Sequence, residues 1–103
     1  MTETEHLLVC LMEEASEVAK ECAKALRFGL DDVNPNNPGG GTNRDRIVRE
    51  LADLYAIVQM LRFRSVLRFA PESSSAVGEK LDKVRRMMEY ARERGTLDAK
   101  AGA

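Results

Sequence analysis

ETEHLLVCLMEEASEVAKECAKALRF, residues 3–28, contains neither proline nor glycine and spaces its apolar side chains at helical intervals. Leu11, Ala15, Val18, Cys22 and Ala25 fall at 4-3-4-3 steps, the spacing of a helix that buries one stripe. Thr2 and Glu5 have the form of a capping box before the first turn, and Gly29 is suited to closing the last one. One long amphipathic helix from Glu3 to Phe28 is therefore expected.

The same pattern recurs further along. Ile47, Leu51, Leu54, Val58 and Leu61 form a second stripe, on a helix expected to begin at a Thr42 or Asn43 cap and to run to about Phe69 before Pro71. Val77, Leu81, Val84, Met88 and Ala91 form a third, on a helix from about Ser73–Ser75 to Arg94 with Gly95 as its stop. Between the first two lies GLDDVNPNNPGGGTN, residues 29–43, with two prolines, four glycines and four asparagines. No regular element is expected there. A loop of this length in a small domain is commonly functional.

The expected fold is thus all-α: an antiparallel bundle of three main helices, with residues 1–95 as one domain and 96–103 as a flexible tail. Apolar residues outside the stripes (Leu7, Leu8, Ile57, Met60, Phe63 and Met87) leave too much apolar surface for a monomer. Completion as a homodimer or homotetramer is expected.

Composition narrows the function. The 103 residues carry a net charge of −1, which disfavours a general nucleic-acid binder. A 32% share of charged residues and 5% of aromatic ones suits helices better than a sandwich or barrel. The longest apolar run, Leu7–Met12, is too short for a membrane span, and Glu3 and Glu5 precede it where a secretory leader would carry lysines. A cytoplasmic location is the expectation. Cys10 and Cys22 lie roughly 18 Å apart along one helix at ~1.5 Å per residue, too far for a disulfide, and read as small apolar residues. With His6 the only histidine, a histidine zinc site is disfavoured.

Glu14 and Glu17 on the first helix, and Glu50 and Asp53 on the second, are the informative residues. An i, i+3 pair sets two carboxylates on one side of a helix, and two such pairs on neighbouring helices supply the hard oxygen ligands that magnesium or manganese prefers. At ~100° per residue, the first member of each pair sits about 60° from the centre of its stripe and the second about 120°. Both pairs thus flank the expected seam on the same side. A solvated face would carry bases three or four residues away. Glu14 has none, Glu17 has only Lys20 among Glu13, Glu14 and Glu21, and the second helix offers Arg46 to Glu50 and Arg49 to Asp53. The like charges cost a few tenths of a kcal/mol per pair on an exposed helix and more near a core, which a cation would relieve.

Glu13-Glu14-x-x-Glu17 followed by Glu50-x-x-Asp53 closely resembles the EExxE and ExxD signature of the MazG-like all-α nucleotide pyrophosphohydrolases. The flanking segments MEEASEVAKECAKAL and RIVRELADLYAIVQML resemble that family's two motif helices, and the resemblance covers about residues 8–62. It implies a helical oligomer in which Glu14, Glu17, Glu50 and Asp53 hold magnesium, with manganese a substitute. It also implies hydrolysis of a nucleoside triphosphate to the monophosphate and pyrophosphate. Such chemistry is mainly positioning and charge neutralisation, with a metal acidifying the attacking water.

Glu17 is the first candidate to accept that water's proton, with Glu50 the second catalytic candidate. Lys24 and Lys83 are the expected phosphate contacts, Arg46 a further basic contact, and Asn43 a contact to sugar or base. Residues 29–43 are expected to set substrate selectivity. Two other readings use the same residues: a phosphoribosyl-ATP pyrophosphatase of histidine biosynthesis, and a helical interaction module without catalysis.

Overall fold

The computed structural model describes residues 1–69 and 74–100, and all their regular elements are helical: α1 (Glu3–Phe28), a short 3-10 turn (Pro38–Gly40), α2 (Asn43–Phe63) and α3 (Ser75–Glu93). No helix among the described residues is long and apolar enough to cross a membrane. The chain divides into two compact units, Met1–Arg68 and Phe69–Ala103.

In the first unit α1 and α2 form an antiparallel hairpin. The Arg64 guanidinium at the end of α2 pairs with Glu3 at the start of α1. At the other end, the Asn43 side-chain amide donates to the Gly29 carbonyl at 2.8 Å. α1 begins and ends as its sequence predicts. The Thr2 hydroxyl accepts from the Glu5 amide at 3.1 Å, and Gly29, at φ 101°, donates its amide to Ala25.

α2 stops at Phe63, six residues before the expected end at Phe69. Ser65 adopts φ 59°, its amide bonds the Arg62 carbonyl, and the Val66 amide bonds the Leu61 carbonyl. This pair of bonds satisfies the last free carbonyls of the helix, a closure usually made with glycine. A serine in that role carries no strong stop signal in the sequence. Pro71, expected to end the helix, lies outside the described residues.

The packed face follows most of the expected stripe and adds to it. Leu7 and Leu61 are the buried apolar residues of the described chain, at 6% and 0% exposure, and Glu21 and Asn43 are its buried polar ones. Leu11, Val18 and Ala25 on α1 and Ile47, Leu54, Val58 and Leu61 on α2 are buried or half-buried as expected, Leu7, Glu14 and Glu21 join the inward side of α1, and Ala15, Cys22 and Leu51 are exposed. Of the acids, Glu21 is buried, Glu14, Glu17 and Glu50 are half-buried and Asp53 is exposed. α1 carries apolar residues on more than one face, so spacing alone leaves open which face meets α2. Cys10 and Cys22 are free thiols.

The glycine-rich loop is folded by local bonds. The Asn34 carboxamide accepts from the Asn36 amide at 2.9 Å, Val33 bridges Thr42, and the Asn43 and Arg44 amides bond the Asp32 and Leu30 carbonyls. Asparagine side chains closing short turns on their own backbone supply the order that periodicity does not predict.

In the second unit, the Ser74 hydroxyl caps α3 and Gly95, at φ 76°, ends it. Thr96 and Leu97 then donate their amides to the Ala91 carbonyl. The first residues of the expected tail are thus bonded back onto the helix, while residues 101–103 lie outside the described part.

Candidate metal centre

α1 and α2 bring the predicted acids together. One carboxylate oxygen each from Glu14, Glu50 and Asp53 lies within 4.8 Å of the others. Glu17 and Glu50 form a second such group, whose third member is Glu21. Glu14, Glu17 and Glu50 are half-buried, Asp53 is exposed and Glu21 is buried. The Glu14 carboxyl is pushed above its ordinary value of 4.5, first by loss of hydration, then by the charges of Asp53, Glu50, Glu17 and Glu13. Glu14 thus senses both members of the opposite pair across the seam.

Charge compensation is poorer than the sequence suggests. Among the described residues no ion pair reaches Glu14, Glu50 or Asp53, and Glu17 has only Lys20 at 3.9 Å on an exposed face. The expected pairings of Arg46 with Glu50 and Arg49 with Asp53 do not form. Arg46 instead packs against Gly40 and Asn37 under the loop, with Nε and Nη2 buried and unpaired. The loop turns over the first turn of α2, and the flat guanidinium fills the space that Gly40, lacking a side chain, leaves open.

Beside the acids is a cavity of about 450 Å³ lined by Lys24, Phe28, Asp32, Asn34, Asn36 and Asn43, with Pro35. Lys24 links it to the acidic seam, because its ammonium lies 3.4 Å from Glu21 Oε1. Two expected substrate contacts, Lys24 and Asn43, therefore share one cavity. Asn43 is also committed to the fold: it is 4% exposed and its amide holds Gly29. Lys83 lies exposed on α3, in the second unit.

Glu21, Phe28, Asn34 and Asn36 are members the sequence did not single out one by one. Glu21 falls four residues beyond Glu17, outside the i, i+3 rule used to find the acids. Phe28, at the end of α1, sits beneath the Arg27 guanidinium, 4.8 Å from the ring centre.

No family model, no curated protein and no solved structure matches this chain.

The donor set fits a hard divalent cation. It is made of carboxylate oxygens only, drawn from two helices and spaced for a shared ion. It also contains a buried oxygen, Glu21 Oε2, with no hydrogen-bond partner.

Proposed function

We propose that this chain is a magnesium-dependent nucleoside triphosphate pyrophosphohydrolase, converting a nucleoside triphosphate and water to the monophosphate and pyrophosphate. The observation that carries this reading is the group of Glu14, Glu50 and Asp53 oxygens within 4.8 Å, with no basic residue paired to any of them among the described residues. Four like charges gathered at a helix seam are costly, and stabilising a cation is the use that justifies the cost.

Glu14, Glu17, Glu50 and Asp53 would hold the magnesium, which when bound would supply charge neutralisation for the phosphates and a lowered pKa for the attacking water. Glu17, half-buried beside Lys20, accepts the proton as water attacks that phosphorus and the bond to the bridging oxygen breaks. Lys24 contacts the phosphate chain, Phe28 offers its ring to the base, and Asn34 and Asn36 face the same cavity as hydrogen-bonding groups. Arg46, with Nε and Nη2 buried and unpaired under the loop, is a further basic contact for the substrate.

The reading includes assembly as a homodimer or homotetramer. Met12 (71% exposed), Leu26 (89%) and Phe63 (88%) are large apolar residues on the outer faces of α1 and α2, and a symmetric partner would cover them. Light scattering at micromolar concentration checks this, and a stable, active monomer would overturn it.

The deciding experiment is a panel of nucleoside triphosphates, with phosphoribosyl-ATP alongside, incubated with magnesium or with chelator. The expected products are a monophosphate and pyrophosphate, formed only with magnesium. Appearance of only a diphosphate and orthophosphate would reject the assigned bond.

A further inference from the structure

The cavity beside the acids carries its charges in an order. Lys24 follows Glu21 by three residues on α1, and Phe28 follows it by seven. Asp32 is tied through its carbonyl to the amide of Asn43, which begins α2 seven residues before Glu50. At ~1.5 Å per residue, Phe28 and Asp32 share one level, roughly 10 Å along the helices from the acids, with Lys24 between. A nucleotide whose phosphates meet the acids and Lys24 therefore presents its base to Phe28 and Asp32.

The Asp32 carboxylate forms no ion pair among the described residues. The bonds that hold Asp32 in the loop come from its backbone: its amide donates to Gly29 at 3.3 Å, and its carbonyl accepts from Asn43 at 3.0 Å. An ionised carboxylate only accepts hydrogen bonds. It repels phosphate and matches a base edge that presents two N–H donors side by side. Guanine has that edge in N1–H and the N2 amine. Uracil and thymine offer one N–H between two carbonyl oxygens, which a carboxylate repels. Adenine and cytosine offer a single amine beside a ring nitrogen that is itself an acceptor.

We propose that this cavity selects guanine, with the Asp32 carboxylate accepting from N1–H and the N2 amine. Phe28 supplies a platform for the ring: it is 57% exposed, and the Arg27 guanidinium lies over it, 4.8 Å from the ring centre. Stacking tolerates any base, so the choice among bases falls to Asp32. Asn34 complements it. Its carboxamide oxygen is engaged by the Asn36 amide at 2.9 Å, which leaves its NH2 to donate, as guanine O6 requires.

This inference rests on the proposed function for the nucleotide and names its base, so binding is measured apart from turnover. Nucleoside monophosphates, the products of the proposed reaction, are titrated calorimetrically into the full chain with magnesium. Guanosine monophosphate is expected to bind about tenfold or more tighter than inosine monophosphate, which lacks only the N2 amine, the usual worth of a hydrogen bond to a charged group. Uridine monophosphate should bind more weakly still. The kcat/KM values of the corresponding triphosphates should follow the same order. Asp32→Asn exchanges one acceptor oxygen for an NH2 donor. It is expected to lose the preference for guanine over inosine and to favour xanthosine monophosphate, whose C2 carbonyl replaces the amine. Circular dichroism confirms that the variant is folded, and the parent's own ranking needs no variant.

A parent that binds guanosine and inosine monophosphates equally, or binds neither, would overturn the assignment, as would an Asp32→Asn protein that keeps the parent's ranking. Magnesium-dependent cleavage of triphosphates without base preference would leave the hydrolase standing and remove Asp32 from recognition. Guanine-selective binding in a chain that cleaves no triphosphate would support the cavity and reject the hydrolase. A carboxylate can also hold the two hydroxyls of a ribose. Much weaker binding of 2′-deoxyguanosine monophosphate than of the ribonucleotide would place Asp32 on the sugar and overturn its role at the base; equal binding is expected.

Discussion

The two ends of the α1–α2 seam are built on opposite principles. Near the chain start, Leu7 and Leu61 are buried against each other's helices and the Glu3–Arg64 pair closes the edge. Near the loop, the buried residues are Glu21 and Asn43, with Glu14, Glu17 and Glu50 half-buried between the two ends. The apolar end lowers free energy by removing hydrocarbon from water. The polar end concentrates like charge and gains nothing from burial unless something positive arrives. One hairpin thus divides its labour: one end holds the helices together, and the other gathers the charge on which the proposed site rests.

The largest expected effect comes from Glu50, the residue common to both acidic groups. Glu50→Gln should lower turnover by orders of magnitude, because a ligand charge is lost where charge neutralisation is the chemistry. The metal-free variant should be no less stable than the parent, since a repulsive charge has gone. Magnesium should raise the melting temperature of the parent, as any ligand selective for the folded state does, and raise that of Glu50→Gln much less. Equal magnesium shifts in the two proteins would place Glu50 outside the site.

Leu61→Ala is the counterpart at the other end. Leu61 is wholly buried, and truncating a buried leucine typically costs about 2–5 kcal/mol. The magnesium-induced shift should survive in this variant, because its ligands are untouched. If Leu61→Ala abolished the shift while remaining folded, the two ends would be energetically one unit and the division of labour would be wrong.

These contrasts also mark what could be read from the sequence. The bounds of α1, its Thr2 cap and its Gly29 end follow from propensity and capping alone, and the structure agrees at each. The four acids of the signature were readable because an i, i+3 spacing on two helices is a purely local fact. Glu21 was not, since its meaning depends on its being buried against Glu50, a contact set by which face of α1 meets α2. The early stop of α2 was hidden because Ser65 takes a left-handed angle that sequence assigns to glycine. The Arg46–Glu50 pairing expected from spacing does not form because Arg46 turns into the space beside Gly40, which has no sequence signal.

The loop offers a smaller, sharper test. A side chain at Gly40 would run into Arg46 and Asn37, whereas one at Gly39 would meet nothing within 4 Å. Gly40→Ala should therefore cost about 1–2 kcal/mol, in the range of mild overpacking, and Gly39→Ala close to nothing. Turnover of Gly39→Ala is the informative measurement. Slower turnover with an unchanged melting temperature would mean that the loop moves over the nucleotide, because alanine restricts a backbone that glycine leaves free. Unchanged kinetics would make the loop a fixed wall of the cavity.

The smallest effect concerns the cap that fixes the polar end in place. Thr42 and Asp45 exchange hydrogen bonds: the Asp45 carboxylate accepts from the Thr42 amide at 3.0 Å, and the Thr42 hydroxyl accepts from the Asp45 amide at 3.1 Å. The Asp45 carboxyl lies below its ordinary value of 3.8, chiefly through the Thr42 backbone bond, then the Thr42 hydroxyl, with smaller help from Arg49 and Arg44. A carboxyl held low in the folded state stabilises the fold at pH values above the unfolded value. That stabilisation is lost as pH falls below 3.8 toward the folded value. Glu14 acts with the opposite sign, its raised value lowering metal-free stability as pH climbs above 4.5. Comparing the parent with Asp45→Asn cancels the Glu14 contribution. The asparagine keeps an acceptor for the Thr42 amide but has no charge to titrate, so the variant should melt lower than the parent at neutral pH. The gap should narrow as pH drops below 3.8. Thermal melts across that range check both the sign and the window. A gap that stayed constant into acid would show that the cap stabilises α2 through hydrogen bonding alone, with no contribution from the charge at the helix start.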